Sequence, residues 1–352
     1  MNRPQCARGH VAKDALRRAV FSAFALAWGQ IALAQQQAGN AVAVRDPVEL
    51  LQRLYNATKG LSYSGTFVYQ HGQHTETSRI VRRVDASGTY ERIEVLDGSP
   101  REIIRSGDEV KAYLPGSQTV KIEKATSDRP MLPIMFSQVR ELTAVYTIKG
   151  GETERIAGFE AQSISLIPRD TMRYAHRFWS DVATGMLVKA QTFDEHLVLV
   201  EQFMFTQLRI GGPISRNDLR PRYAAAARDW RVHEAGPMTP MSDSAWILRS
   251  PPAGFKKIAE MRRSFSGNVE VSHLVVSDGI ASISVFIESA GRGKPNPPPI
   301  GLSRQGTINV FTRKLDEFLV TVVGEAPAAC VEAIAVGIES RTTAGSATVT
   351  RP

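Results

Sequence analysis

Residues 171–210 read TMRYAHRFWSDVATGMLVKAQTFDEHLVLVEQFMFTQLRI, and their alternation decides the fold. Three consecutive strands are predicted. Ser180-Asp181-Val182-Ala183-Thr184-Gly185 makes the first reversal and Asp194-Glu195-His196 the second, because a tight turn wants a short hydrogen-bonding side chain and a residue free in φ. Side chains two apart share a face. Met172, Tyr174, His176 and Phe178 therefore point one way, and Arg173, Ala175, Arg177 and Trp179 the other. In the third strand Leu197, Leu199, Phe203 and Phe205 share a face, opposite Val198, Val200, Met204, Leu208 and Ile210. Neither face is polar throughout. Such a sheet needs cover on both sides, either more protein or an apolar ligand in a concavity.

Toward the N-terminus the pattern changes character. Arg3, Arg8, Lys13, Arg17 and Arg18 precede the apolar run AVFSAFALAWGQIAL (19–33), and Ala32-Leu33-Ala34 has small residues where a signal peptidase requires them. Residues 1–34 read as a signal peptide cut between Ala34 and Gln35. The run is shorter than the roughly 20 apolar residues that a membrane-spanning helix needs. Export changes the charge argument. The chain carries 43 Lys+Arg against 35 Asp+Glu, a net of +8. Removing five basic residues and one acid with the signal leaves 38 against 34. An exported, mildly basic protein has no nucleic acid to meet, but its surface tolerates anionic headgroups or acidic partners. Cys6 leaves with the signal, so Cys330 stands alone, as a small buried hydrophobe on a helix face.

A length of 352 residues with 43 % apolar composition supports two domains with real cores. A polar leader (35–45) precedes a helix. Asp46 caps it, Pro47 opens it, Glu49 favours its first turn and Gly60 ends it, with Val48, Leu51 and Tyr55 on one stripe beside Leu50 and Leu54. Short alternating runs follow at 61–70, 75–84, 89–96, 101–105, 109–114 and 119–123, an antiparallel meander that is curved or partly closed. Residues 128–136 carry two prolines among large apolar side chains and read as a plug on one side of the sheet. The meander resumes at 144–149, 154–156 and 160–168 and enters the opening stretch. Residues 213–244 read as a linker along a surface. A smaller unit, 245–340, has strands at 245–249, 260–266, 269–277, 280–289, 307–314 and 317–323. Pro327 then opens a helix facing inward with Val331, Ile334, Ala335 and Ile338, before a loose tail at 341–352.

No GxSxG elbow, HExxH, phosphate loop or dinucleotide fingerprint occurs. This is not the sequence of an enzyme, and a hydrolase would need a nucleophile and base that no motif supplies. His71 and His74 have an HxxH spacing without a third ligand nearby, which fits a hairpin tip better than a metal site. No cofactor or metal is implied. Arg79, Arg82 and Arg83 read as a solvated edge or as a contact for phosphate or acidic headgroups.

Several ordered blocks carry a resemblance to the MucB/RseB family, periplasmic co-regulators of a sigma-E type stress sigma factor. Asp97-Gly98-Ser99-Pro100-Arg101-Glu102 with Gly107-Asp108-Glu109-Val110 and Leu114-Pro115-Gly116 resembles the family's DG-x-x-RE hairpin. Phe178-Trp179-Ser180-Asp181 with Thr184-Gly185-Met186-Leu187 is similar to its W-x-D-x-x-T-G-x-L turn, and Leu199-Val200-Glu201-Gln202-Phe203 to the strand after it. Pro252-Ala253-Gly254-Phe255, Ser277-Asp278-Gly279-Ile280 and Val323-Gly324-Glu325-Ala326-Pro327 recur in order in the second unit. The turn alone also occurs in lipoprotein carriers; the ordered set across two units is more specific.

The resemblance implies an α+β fold. Residues 46–212 would form a lipoprotein-carrier-like, strongly curved antiparallel sheet, a half-open barrel packed on helices and sensing lipid. Residues 245–340 would form a smaller α+β domain that binds the anti-sigma factor. It implies a function without turnover: holding the periplasmic part of a membrane-anchored anti-sigma factor, shielding it from proteolysis, and releasing it when lipid, lipopolysaccharide or mislocalised lipoprotein binds. The expected lipid cleft is Phe67, Tyr69, Tyr174, Phe178, Phe203 and Phe205, each of which could equally pack in the core. The expected partner contacts are Arg220, Arg222, Ser277, Asp278 and Gly279. A periplasmic lipoprotein or lipid carrier is the alternative, which the second unit argues against. Whether copies of the chain form a homo-oligomer is open at this level.

Overall fold

The structure is a computed structural model, and it describes residues 46–124, 139–234, 239–240, 244–265, 269–290 and 299–341. The expected signal peptide with its Ala34–Gln35 cut, the plug at 128–136 and residues 342–352 of the tail lie outside them.

Helix α1 (Pro47–Gly60) starts where its cap dictates: Asp46 Oδ1 accepts from the Val48 amide at 3.0 Å. Its buried stripe is Leu50, Leu51, Leu54 and Ala57, with Val48 and Tyr55 at the margins. The stripe packs on a twelve-stranded sheet. In chain order the first strands are β1 (Tyr63–His71), β2 (His74–Asp85), β3 (Gly88–Val95), β4 (Glu102–Ser106), β5 (Glu109–Leu114) and β6 (Thr119–Lys124). After helix α2 (Val139–Val145) come β7 (Tyr146–Ile156), β8 (Phe159–Pro168), β9 (Ala175–Asp181), β10 (Leu187–Phe193) and β11 (Leu199–Ile210). The two meanders join where β1 pairs with β11, and β7 forms one edge. The other edge is β12 (Arg231–Glu234), which pairs parallel with β6.

The opening stretch folds as the expected three strands, and its two faces are covered differently. Inward, Phe178, Phe203 and Phe205 join Leu51, Leu54, Leu142 and Tyr146 in the main core. Outward, Trp179 packs with Ile156, Ala161 and Val188. Its indole Nε1 donates to Glu154 Oε1 at 3.0 Å, and Lys189 Nζ lies 4.3 Å from its ring centre. The chain's own side chains thus close the outer face. The first turn locks this sheet to the helix. Asp181 Oδ2 accepts from the amide and hydroxyl of Thr184 at 2.8 and 2.6 Å. Gly185 sits at φ +78°, where a Cβ would come within 3.1 Å of the Arg53 carbonyl, so the turn's glycine is demanded twice.

The second unit is a seven-stranded sheet. It comprises β13 (Thr239–Pro240), β15 (Lys256–Phe265), β16 (Val269–Ser277), β17 (Ser282–Ser289), β18 (Gly301–Gln305), β19 (Ile308–Leu315) and β20 (Phe318–Gly324). Helix α3 (Ala328–Val336) buries Cys330, Val331, Ile334 and Ala335 against it. Burial pushes the Cys330 thiol up to about 12, so it packs as an apolar group. A ribbon of β14 (Trp246–Leu248) and β21 (Ile338–Ser340) closes the unit. The α+β class, with a large curved sheet on helices and a separate smaller sheet domain, is the one expected.

Several local expectations fail for identifiable reasons. Strand β7 is continuous, whereas 144–149 and 154–156 read as separate runs; the pairing is irregular after Gly150, and a Cβ on Gly151 would collide with Ser163 Oγ. Leu197, Val198 and Leu199 do not share faces with the strand beyond them. They are 74, 56 and 39 % exposed, because Asp194 Oδ1 captures the amides of His196 and Val198 and lengthens the turn. Arg82 is not a solvated edge: it is buried, with Nη1 on Glu91 and Nη2 donating to the Lys59 carbonyl at 2.9 Å. The linker is structured in part through β12 and is held down by charge, as described next.

Candidate functional site

Where the two sheets meet, a set of buried polar contacts fixes the seam. Arg173, just before β9, is buried among partners from both units. Its guanidinium donates to both carboxylate oxygens of Asp170 at 3.0 Å, to Asp278 Oδ2 at 2.7 Å and to the Ala253 carbonyl at 2.5 Å. Tyr146 Oη also donates to Asp278 Oδ2, at 3.2 Å. Burial opposes the Arg173 charge, but the two carboxylates hold it and its pKa lies above the ordinary arginine value. Asn309 Nδ2 donates to Tyr174 Oη at 3.3 Å and to the Ala326 carbonyl at 2.8 Å. At the tip of β1, His71 Nε2 meets Thr307 Oγ1 and lies 3.9 Å from Glu325 Oε1. Ile280 packs into the main core and Met172 into the second one.

Beside these contacts lies a cavity of about 330 Å³, inside the range of small-molecule sites. The large sheet lines it with His176, Phe178, Ala190, Thr192, Glu201 and Phe203. The small sheet lines it with Ile280, Ala281, Ser282, Ile308, Val323, Gly324 and Glu325. An occupant therefore touches both units. Phe203 forms the start of an aromatic run into the core: its ring centre lies 5.0 Å from those of Phe67 and Phe205. Burial holds the His176 imidazole down to about 4, so it is neutral at pH 7. Partial desolvation of a side chain that is still 47 % exposed, with the charge of Glu201, pushes Glu325 up to about 7. Glu201 is held rigidly: Oε1 accepts from Tyr69 Oη at 2.6 Å and Oε2 from Thr192 Oγ1 at 3.1 Å.

The expected lipid residues divide. Phe178 and Phe203 line the cavity; Phe67 and Phe205 lie deeper, in the core against α1; Tyr69 supports Glu201; Tyr174 is buried at the seam. The expected partner residues divide as well. Ser277, Asp278 and Gly279 form the β16–β17 turn at the seam, with Asp278 buried and engaged by Arg173 and Tyr146. Ser277 Oγ accepts from the Gly279 amide at 3.0 Å. Arg220 is exposed. The Arg222 side chain is 65 % exposed; it pairs with Glu94, while its amide donates to Glu102 Oε2 at 2.9 Å. Arg92 completes this outer-face cluster, with Nε to Glu102 at 2.5 Å and its guanidinium to the Asp218 carbonyl at 3.4 Å. Sequence reasoning missed Glu201, Thr192 and Glu325. Glu201 had a signal, being the acid on the same alternating face as Phe203 and Phe205. Glu325 had none, since it meets the cavity only through the packing of one sheet on another.

Comparison with known proteins places both units. Residues 46–223 match the model of the MucB/RseB N-terminal domain, and residues 240–339 that of the MucB/RseB C-terminal domain. The sigma factor AlgU regulatory protein MucB of Pseudomonas aeruginosa is 29 % identical over 83 % of this chain and 90 % of its own. The sigma-E factor regulatory protein RseB of Salmonella typhimurium is 24 % identical, over 86 % of this chain and 94 % of its own. The crystal structure of MucB in complex with MucA(peri) covers 84 % of this chain and 99 % of the MucB chain, at 27 % identity and a TM-score of 0.64. A second MucA/MucB complex, from Pseudomonas aeruginosa, superposes over the same shares with a TM-score of 0.65. Among the described residues, no helix is long and apolar enough to cross a membrane.

Proposed function

The chain belongs to the MucB/RseB family, and from that premise we propose that it is a periplasmic negative regulator of a sigma-E type stress response. It binds the periplasmic region of a membrane-anchored anti-sigma factor and shields it from regulated proteolysis. Lipid, lipopolysaccharide or mislocalised lipoprotein, entering the seam cavity, loosens that grip. Residues 1–34 direct export and are removed, 46–212 sense the ligand, 213–244 link, and 245–340 hold the partner.

The observation that carries this reading is that the cavity wall is shared between two units that the family keeps together. A relative of 27 % identity along almost its whole length is seen bound to MucA(peri). A ligand bridging Phe178 and Phe203 on one side and Ile280 and Val323 on the other favours one arrangement of the two sheets over another. A partner held by 245–340 and the linker in the other arrangement has the opposite preference, and the two are then thermodynamically linked. Arg220 and Arg222 offer exposed cations for an acidic stretch of the partner; Ser277, Asp278 and Gly279 contribute by setting the seam.

The test is capture of the anti-sigma factor's periplasmic segment, with and without lipopolysaccharide, followed by challenge with the protease that first cuts it. The proposal expects capture, protection, and loss of both with lipopolysaccharide. Lipid binding without capture of the segment would favour the carrier reading, and capture without protection would remove the shielding role.

A further inference from the structure

The large sheet's polar share of the cavity wall accepts hydrogen bonds and has few to give, and a count of its protons shows why. Tyr69 Oη donates to Glu201 Oε1 at 2.6 Å, and burial raises the phenol, so it keeps its proton. The Thr192 hydroxyl has one proton and gives it to Glu201 Oε2 at 3.1 Å. His176 Nδ1 stands 3.2 Å from that same Oγ1, which is then left only to accept. Nδ1 therefore carries the single proton of an imidazole that burial holds neutral. Nε2 is bare, and it has no partner among the described residues. A carboxylate offers about four acceptor positions, of which Tyr69 and Thr192 use two on Glu201.

On the small sheet's side most donors are taken. Asp278 Oδ1 accepts from the amides of Ile280 and Ala281, at 3.0 and 2.8 Å. Ile308, Val323 and Gly324 lie in paired strands. Ser282 is the exception: its Oγ is buried without a partner among the described residues, free to give and to accept. Glu325, half-exposed and raised to about 7, also does both near neutrality and selects neither kind of ligand.

Taking the cavity as the ligand site proposed above, we infer that it selects a hydroxylated alkyl chain, whose hydroxyl donates to the acceptor pair of Glu201 and His176 Nε2 and accepts from Ser282. The carbons pack on Phe178, Phe203, Ile280 and Val323. Glu201 belongs to the large sheet and Ser282 to the small one, so the hydroxyl ties the ligand to both. The demand falls on the chain inside the cavity and leaves a headgroup outside it free, phosphate included.

Calorimetric titration of the full chain with octanol and heptyl methyl ether tests this, because the two match in heavy atoms and differ in the donor. The ether still accepts from Ser282 and is the more apolar molecule, so an unselective cavity favours it. Octanol is expected to bind at least about tenfold more tightly, which is about 1.4 kcal/mol and the scale of one hydrogen bond to a charged acceptor. Glu201→Gln and His176→Gln put amide donors into the wall and should each shrink that ratio, with the double variant bringing it to unity or below. Thermal melting of each variant verifies folding. Nitrogen NMR of the histidine-labelled chain reads the proton directly: the signals lost in His176→Gln should report a protonated Nδ1 and a bare Nε2. Equal or tighter ether binding, an octanol preference that survives in the double variant, or a proton on Nε2 overturns this inference while leaving the lipid reading intact. Binding of neither molecule overturns the apolar-ligand reading of the cavity and this inference with it.

Discussion

Arg173 and Asp278 are the two residues on which the seam most depends. Both are buried, and each is hydrogen-bonded within its own unit and across to the other. Such a pair adds little net stability against an apolar replacement, but removing one partner strands the other. Asp278→Asn is therefore expected to destabilise the protein by about 3–5 kcal/mol in urea unfolding. The double variant Arg173→Met/Asp278→Leu should recover most of that loss. By contrast the exposed Lys256–Glu141 pair across the same seam should cost under about 1 kcal/mol when broken. Two cavity groups also set opposite pH dependences. His176, lowered from 6.5 to about 4, contributes stability that is complete above pH 6.5 and is lost as pH falls toward 4. Glu325, raised from 4.5 to about 7, contributes stability that is complete below pH 4.5 and is lost as pH rises through 7. Asp85, Asp97, Asp170 and Asp218, held below the ordinary carboxylate value, add a loss of stability as pH falls, so the two groups are read as differences from the wild-type slope. Against that slope Glu325→Gln should uncover a fall with decreasing pH, and His176→Gln a rise; equal slopes in all three proteins would contradict the assignment. Glu201 could have been read from its place in the Glu201-x-Phe203-x-Phe205 alternation. His176 shares its face with Phe178 in the same way. Glu325 and Thr307 could not, because their neighbours come from a strand tip more than two hundred residues away, as the 236-residue separation of His71 and Thr307 illustrates.

At the scale of elements, the stretch 214–234 is a strap laid over the sheet. Glu102 is its anchor, accepting from Arg92 Nε and from the Arg222 amide within a cluster that includes Glu94. Replacing Glu102 with Ala leaves Arg92 half-buried beside a single acid and frees the strap. Limited trypsin digestion should then cut at Arg216, Arg220 or Arg222 at least about tenfold faster, since cleavage follows the population of locally opened states. An unchanged cleavage pattern would show that β12, pairing with β6, holds the strap by itself. The elements that were legible in advance have local causes: the Asp46-Pro47 start of α1, the Asp181–Gly185 turn, the three strands of 171–210. Those that were not depend on distant partners. Four exposed residues, Arg231–Glu234, become a strand only because the β6 edge offers them hydrogen bonds. The gap between 144–149 and 154–156 looks like an interruption until Ser163 on the neighbouring strand shows why no side chain fits at Gly151.

At the scale of the molecule, two sheets share one cavity wall and one buried charge cluster, so whatever enters between them reports to both. That arrangement is what a regulator needs and what a simple carrier does not. On the reading proposed above, the cluster around Arg173 holds the two sheets in the arrangement described, and a ligand in the cavity would shift it. The quantity that decides the account is the coupling between the two ligands. It is obtained by measuring the affinity of the full chain for the anti-sigma factor's periplasmic segment, by fluorescence anisotropy, across a titration of lipopolysaccharide. The account predicts tight binding that weakens by roughly 5- to 150-fold at saturating lipopolysaccharide, with the reciprocal effect of the segment on lipid affinity. Segment affinity that stays constant across the titration, or no binding of the segment at all, would contradict it.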